Sequence, residues 1–127
     1  MSDWTADELA VIGSTDEVDI ATRRRNGTLR GARIVWAVRH GDAVYVRSVN
    51  GTGADWYRGA QTRHEAHLTS GKLDRDVLLV ETDHTPGNPL DEALDAAYRA
   101  KYCRWAGPVE RITSEQARAT TLRLDPA

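Results

Sequence analysis

The chain holds one cysteine, no phenylalanine and only two lysines, Lys72 and Lys101, among its 127 residues. With Cys103 alone, an internal disulfide framework is excluded and a reducing compartment is expected. Without phenylalanine, four Trp and four Tyr must supply the large packing groups. With so few lysines, positive charge is almost wholly arginine. The formal net charge of -2 gives no excess of Lys and Arg of the kind on which nucleic-acid affinity rests. No apolar run approaches membrane length, and the first thirteen residues lack the basic-then-apolar layout of a signal peptide. A cytoplasmic protein with neither nucleic acid nor membrane as partner is the expectation.

What is present reads as one domain, 1–127, long enough to bury a core without metal or disulfide staples. Thr5-Ala6-Asp7-Glu8 is a capping box, with Leu9 and Ile12 as the docking face of a short helix ended by Gly13. Residues 17–24 alternate, with Val18, Ile20 and Thr22 on one face, and Asn26-Gly27 follows as a hairpin turn. The run 33–40 is apolar on both faces, Ile34, Trp36 and Val38 against Val35 and Ala37, which predicts a covered central strand. After Gly41-Asp42, residues 43–49 place Val44 and Val46 opposite Tyr45 and Val49. Strands are expected over 64–70 and 76–82, joined by a turn at Gly71-Lys72. Residues 84–89 form a loop leading to a helix with Asn88 as N-cap and Pro89 at its first position. Leu90, Leu94 and Ala97 mark its buried stripe to about Tyr102, with Gly107-Pro108 beyond its end. Ser114-Glu115-Gln116-Ala117 begins one more short helix, and 120–124 is a last strand. Such a meander predicts a mainly β (α+β) fold: a small antiparallel barrel of about six strands with flanking helices.

The stretch 47–63, RSVNGTGADWYRGAQTR, leaves a strand, passes Asn50-Gly51-Thr52-Gly53 and enters a helix at Asp55-Trp56-Tyr57. A strand, a glycine-bearing turn and a helix start can turn backbone N–H groups toward an anion. Arg47 and Arg58 flank it and supply guanidinium groups of the kind that grip oxyanions. The plain alternative is a β-to-α connection in which Asp55 caps a surface helix.

The hairpin RRRNGTLR, the run IVWAVRHGDAVYVRSVNG and the segment ADWYRGAQ together resemble the FMN-binding split-barrel superfamily, nearest to its deazaflavin-dependent nitroreductase-like branch. The N-terminal helix, DAAYRAKY and TTLRL resemble, more narrowly, a small bacterial family known only as a domain of unknown function. The resemblance implies a split β-barrel, a homodimer with clefts near the subunit interface, and FMN or a deazaflavin as cofactor. It also implies that Arg30, Ser48, Asn50 and Gly51 hold the cofactor phosphate while Trp56 and Tyr57 line the cleft, with Arg47 beside them. The pattern departs from that branch at Thr28 and Leu29, and at Arg33-Ile34 where a Thr-Pro pair is common, so one phosphate clamp is absent.

Other chemistry is thinner. His64 and His67 lie three apart in an expected strand, on opposite faces and with no third ligand, so no metal site is assigned. Cys103, beside Arg104, reads as a packed thiol rather than a nucleophile. Tyr98 and Tyr102 share a helix face and are expected in core or dimer packing. No catalytic residue is named. Two functions stay open: a flavin- or deazaflavin-dependent oxidoreductase passing hydride to a small molecule, and a cofactor-less split barrel that binds a ligand or only dimerises.

Overall fold

A computed structural model describes residues 3–82, 85 and 87–127. In chain order its elements are α1 (Ala6–Ser14), β1 (Val18–Thr22), β2 (Arg33–Val35), β3 (Ala37–His40), β4 (Ala43–Val46), α2 (Asp55–Arg63), β5 (Glu65–Ser70), β6 (Leu73–Glu81), α3 (Pro89–Lys101), α4 (Ala106–Ile112), α5 (Glu115–Arg118) and β7 (Leu122–Pro126). Asp83, His84 and Pro86, within and next to the expected 84–89 loop, lie outside the described residues.

All seven strands join one antiparallel sheet in the order β2-β1-β5-β6-β7-β4-β3. The two outermost strands, β2 and β3, are neighbours in sequence, separated only by Trp36. One extended run therefore supplies both edges, and the sheet must curl until its ends meet there. The result is a nearly closed barrel whose seam is covalent rather than hydrogen-bonded. This corrects the expectation of a single central strand over 33–40 and raises the strand count by one. Ile34, before the break, is 59% exposed, whereas Val38, after it, is buried. The order also departs from a simple meander, because β7 inserts between β6 and β4 and ties the C-terminus into the barrel.

Period-2 alternation gives the barrel two working faces. Val18, Ile20, Val44, Val46, Leu68, Val77, Leu79, Leu122 and Leu124 fill the interior, which α1 closes with Leu9 and Ile12. The expected capping box holds α1 at its start, Thr5 Oγ1 accepting from the Glu8 amide and Glu8 Oε1 from the Thr5 amide. Outside the barrel, Val38 and Tyr45 pack under α3, α4 and α5 through Leu94, Tyr98, Tyr102, Val109 and Ile112. Tyr98 and Tyr102 are thus core residues of this second layer. Asn88 caps α3 as expected, its Oδ1 accepting from the Asp91 amide at 2.9 Å. Helix α4 was not expected, because Gly107-Pro108 reads as a stop. Pro108 sits in the helix's first turn, where an N–H would have no intrahelical acceptor and its loss costs little. Cys103 is exposed, not packed, since the buried stripe of α3 ends at Tyr102 and the next residue turns to solvent.

The two histidines fall on different elements. His64 is the left-handed C-cap of α2 (φ 56°), 3.3 Å from Glu81. His67, in β5, is bridged by Asp76 at 2.7 Å and by Asp74. Among the described residues no cluster of three metal-ligating side chains exists. Asp76 first, and then Asp74, favour the charged imidazole over the opposing effect of partial burial and raise its pKa above the ordinary 6.5. A raised folded-state pKa adds stability that is complete below the unfolded value and is lost as pH climbs through the folded one. The melting temperature is therefore expected to fall as pH rises above 6.5 through the raised folded-state pKa, and to fall less in His67→Gln. Parallel pH profiles for the two proteins would remove this contribution.

Candidate functional site

Helix α2 is laid across the mouth of the barrel next to the hairpin that follows β1, and a two-lobed cleft runs along it. The first lobe, ≈ 330 Å³, lies between the β2–β3 seam, the chain after β4 and the start of α2. Arg33, Ile34, Trp36, Ser48, Val49, Asn50, Asp55 and Trp56 are among its walls. A second lobe of ≈ 520 Å³ adjoins it, walled by Thr22, Arg24, Arg30, Arg33, Asp55, Trp56, Arg58, Gly59 and Thr62. Arg33, Asp55 and Trp56 border both.

Ser48 is wholly buried, its amide donating to Thr120 Oγ1 at 2.8 Å, and its Oγ has no hydrogen-bond partner. A buried hydroxyl left unpaired costs about 1–3 kcal/mol, a penalty that a ligand atom would relieve. The N-cap of α2 is Ala54, which offers no capping side chain. Asp55 is the first helical residue, so the plain reading in which it caps the helix does not hold. An uncapped nine-residue helix start beside an unpaired hydroxyl is suited to an oxyanion.

The seven residues expected to form the site separate. Ser48, Asn50 and Trp56 line the first lobe, and Trp56 and Arg30 the second. Arg30 and Ser48, expected on one phosphate, thus face different lobes. Gly51 takes the left-handed conformation (φ 70°), and its amide donates to the Ser48 carbonyl at 3.1 Å. Tyr57 lies in the barrel core together with Trp56, whose ring it meets edge-on at 6.0 Å, but it is not among the residues lining either lobe. Burial, with a smaller push from Glu81, raises its phenol pKa. Arg47 borders the first lobe, yet its guanidinium is buried among Asp91, Asp95 and Thr121 and is not free for a ligand. The pleat decides this: Arg47 follows Val46, which points inward, so its side chain goes outward beneath α3.

Among the lining residues that carried no expectation as ligand contacts are Arg33, Trp36 and Gly59. Gly59 had a readable signal, because glycine inside a helix costs about 1 kcal/mol relative to alanine and so points to a packing reason. A Cβ there would stand 2.5 Å from Thr22 Oγ1 and 3.1 Å from Arg30 Nε. Trp36 is held by Tyr102, their rings stacked 3.9 Å apart and 4° from parallel.

The family model for an uncharacterized protein conserved in bacteria, DUF2255, matches residues 8–124. The chain is a DUF2255 protein. No curated protein sequence matches it. Among solved structures, this DUF2255 chain is similar to HutZ from Vibrio cholerae, described as a heme storage protein. The TM-score is 0.59 at 14% identity, covering 96% of this chain and 89% of HutZ. It is also similar to the conserved hypothetical protein Rv2991 from Mycobacterium tuberculosis (TM-score 0.54, 14% identity, 98% and 78% covered). A third likeness is to Campylobacter jejuni ChuZ (TM-score 0.52, 13% identity), of whose length the chain spans about half, 51% against 94% of its own. At such identities the likeness establishes the fold alone: DUF2255 here is a nearly closed antiparallel split barrel.

Proposed function

We propose that this DUF2255 barrel binds a planar, phosphate-bearing small molecule of the flavin type, FMN or a deazaflavin, in the first lobe, and serves as a reductase of a small substrate. The observation that carries the reading is the buried, unpaired Ser48 hydroxyl beside the uncapped start of α2, with Trp36 and Trp56 in the same walls. The hydroxyl and the helix N-terminus would hold the phosphate, Arg33 would add charge, and Trp56 would offer a face to the ring. A bound flavin supplies hydride chemistry, while the protein orients it and shields it from water. Heme, which HutZ is described as storing, is a weaker fit, because the described lining of the cleft holds no His, Cys, Met or Tyr to ligate iron. A homodimer belongs to the reading, and Ile34, 59% exposed in the wall of the first lobe, is an apolar group for a second copy to cover. Among the described residues no helix is long and apolar enough to cross a membrane, and a cytoplasmic location is proposed with the rest.

The alternative, a split barrel that binds a small ligand without redox chemistry, is favoured by one set of observations. Arg47, Gly51 and Tyr57 are committed within the fold, so the phosphate clamp is thinner than the resemblance implies.

Titration with FMN and with a deazaflavin, followed by tryptophan fluorescence, separates the two. The reading expects saturable quenching, with affinity about tenfold weaker in Ser48→Ala, the loss of one charge-assisted hydrogen bond. Absence of quenching by either compound would leave the redox-free barrel.

A further inference from the structure

The second lobe is unusual for a chain of net charge -2. Arg24, Arg30, Arg33 and Arg58 surround it, with Asp55 as its one carboxylate. Among the described residues, Arg24, Arg30 and Arg58 have no carboxylate within 4.0 Å, and Arg33 reaches Asp55 only at 3.9 Å. Like charges gathered around a concave surface repel one another unless an anion comes between them. Arg30 adds a sharper sign. Its amide donates to the Thr22 carbonyl at 2.8 Å and its stem crosses α2 at Gly59, yet its Nε is shielded from solvent and donates to nothing. A guanidinium N–H withdrawn from water without an acceptor carries a desolvation cost that an accepting ligand atom would relieve. The bare backbone at Gly59 is what lets Arg30 lie there, since any Cβ would press on its Nε and Cδ.

We propose that this lobe is an oxyanion site separate from the Ser48 lobe, and that it takes a diphosphate-type group. One phosphate, carrying about -1.5 to -2, leaves four guanidiniums and one carboxylate with surplus positive charge. A diphosphate brings more charge in the same span, and its adjacent oxygens suit several guanidinium forks at once. The inference rests on the reading of the cleft as a binding site and extends it. The preferred ligand carries a diphosphate-type group on the far side of Trp56 from Ser48.

The test is calorimetric titration of the full chain with inorganic pyrophosphate, orthophosphate and citrate, at low and raised salt, in wild type, Arg30→Ala, Arg58→Ala and Ser48→Ala. Pyrophosphate is expected to bind saturably, about tenfold or more tighter than orthophosphate, and to weaken as salt rises. Arg30→Ala and Arg58→Ala should each weaken it about tenfold, and Ser48→Ala should leave it unchanged. Arg58 is exposed, so its removal is expected to leave the fold intact, which circular dichroism of the variant would check. Equal affinity for pyrophosphate and orthophosphate, a preference for citrate, or indifference to both arginines overturns the proposal. The two readings fail separately. FMN quenching that persists without pyrophosphate binding sinks the diphosphate lobe alone. Arginine-dependent pyrophosphate binding without FMN quenching sinks the flavin and leaves the lobe.

Discussion

Replacing Arg47 by alanine is expected to destabilise the fold by about 3–5 kcal/mol, the cost of leaving buried carboxylates without their counter-charge. The side chain is fully buried, and its guanidinium is used on every side. Nε donates to Thr121 Oγ1 at 2.9 Å, Nη1 to Asp95 Oδ1 at 2.5 Å and to the Ile112 carbonyl at 3.3 Å, and Nη2 to Asp91 Oδ1 at 3.3 Å. Burial alone would raise the Asp95 carboxyl, but Arg118 and Arg47 together hold its pKa below the ordinary value. Tyr98 lies under the same guanidinium at 5.6 Å. The network joins the chain after β4 to α3, α4 and the approach to β7, so its loss would loosen the helical layer as a unit. Ser48 is the next residue, and a second, smaller effect on ligand binding in the first lobe is expected to follow. Urea unfolding of wild type, Arg47→Ala and Arg47→Lys measures this. Lysine keeps the charge but not the fork, and should fall between the other two. A loss in Arg47→Ala below about 1 kcal/mol would mean that the pairs are not needed for stability.

Tyr102→Ala should cost a similar amount, about 3–5 kcal/mol, and Tyr102→Phe only about 1 kcal/mol. The ring is wholly buried and stacked on Trp36, and its hydroxyl donates to the Asp16 carbonyl at 2.7 Å. Beside it Lys101 donates to the carbonyls of Ile12 and Ala37 with its Nζ 4.9 Å from the ring, and burial draws its ammonium pKa down to about 8. This knot fixes α1, β3 and α3 to one another at the barrel seam. Removing the ring leaves a cavity behind Trp36, so the alanine variant should also shift tryptophan emission to the red. Thermal unfolding and emission spectra of both variants test the claim. Equal, small losses in the two would show that the hydroxyl, and not the stack, carries the contribution.

The arginine lobe and the Arg47 network show why residue type alone does not assign a site. Arg30 and Arg47 carry the same fork of donors. One lies over a bare glycine backbone at a cleft, and the other stands between two buried aspartates forty-four and forty-eight positions away. Nothing within a few residues of either position distinguishes them. Trp56 and Tyr57, neighbours in sequence set about 100° apart on the helix, both join the barrel core, yet Trp56 alone of the two also borders the cleft.

By itself the sequence determined what rests on local preference: the Thr5–Glu8 capping box, the Asn26-Gly27 turn, the alternation of Val18, Ile20, Val44 and Val46, the Asn88 cap of α3, and the class of fold. These follow from backbone dihedral limits and from the periods of strand and helix, which act over a few residues. Only the tertiary structure decided that the run through Trp36 serves both edges of the sheet, that β7 enters between β6 and β4, that Arg47 is spent on α3, and that Arg30 and Ser48 face separate lobes. Each of these depends on which distant groups share a buried volume. That is settled by barrel closure and by the cost of leaving charge unpaired, and neither is set by near neighbours in sequence.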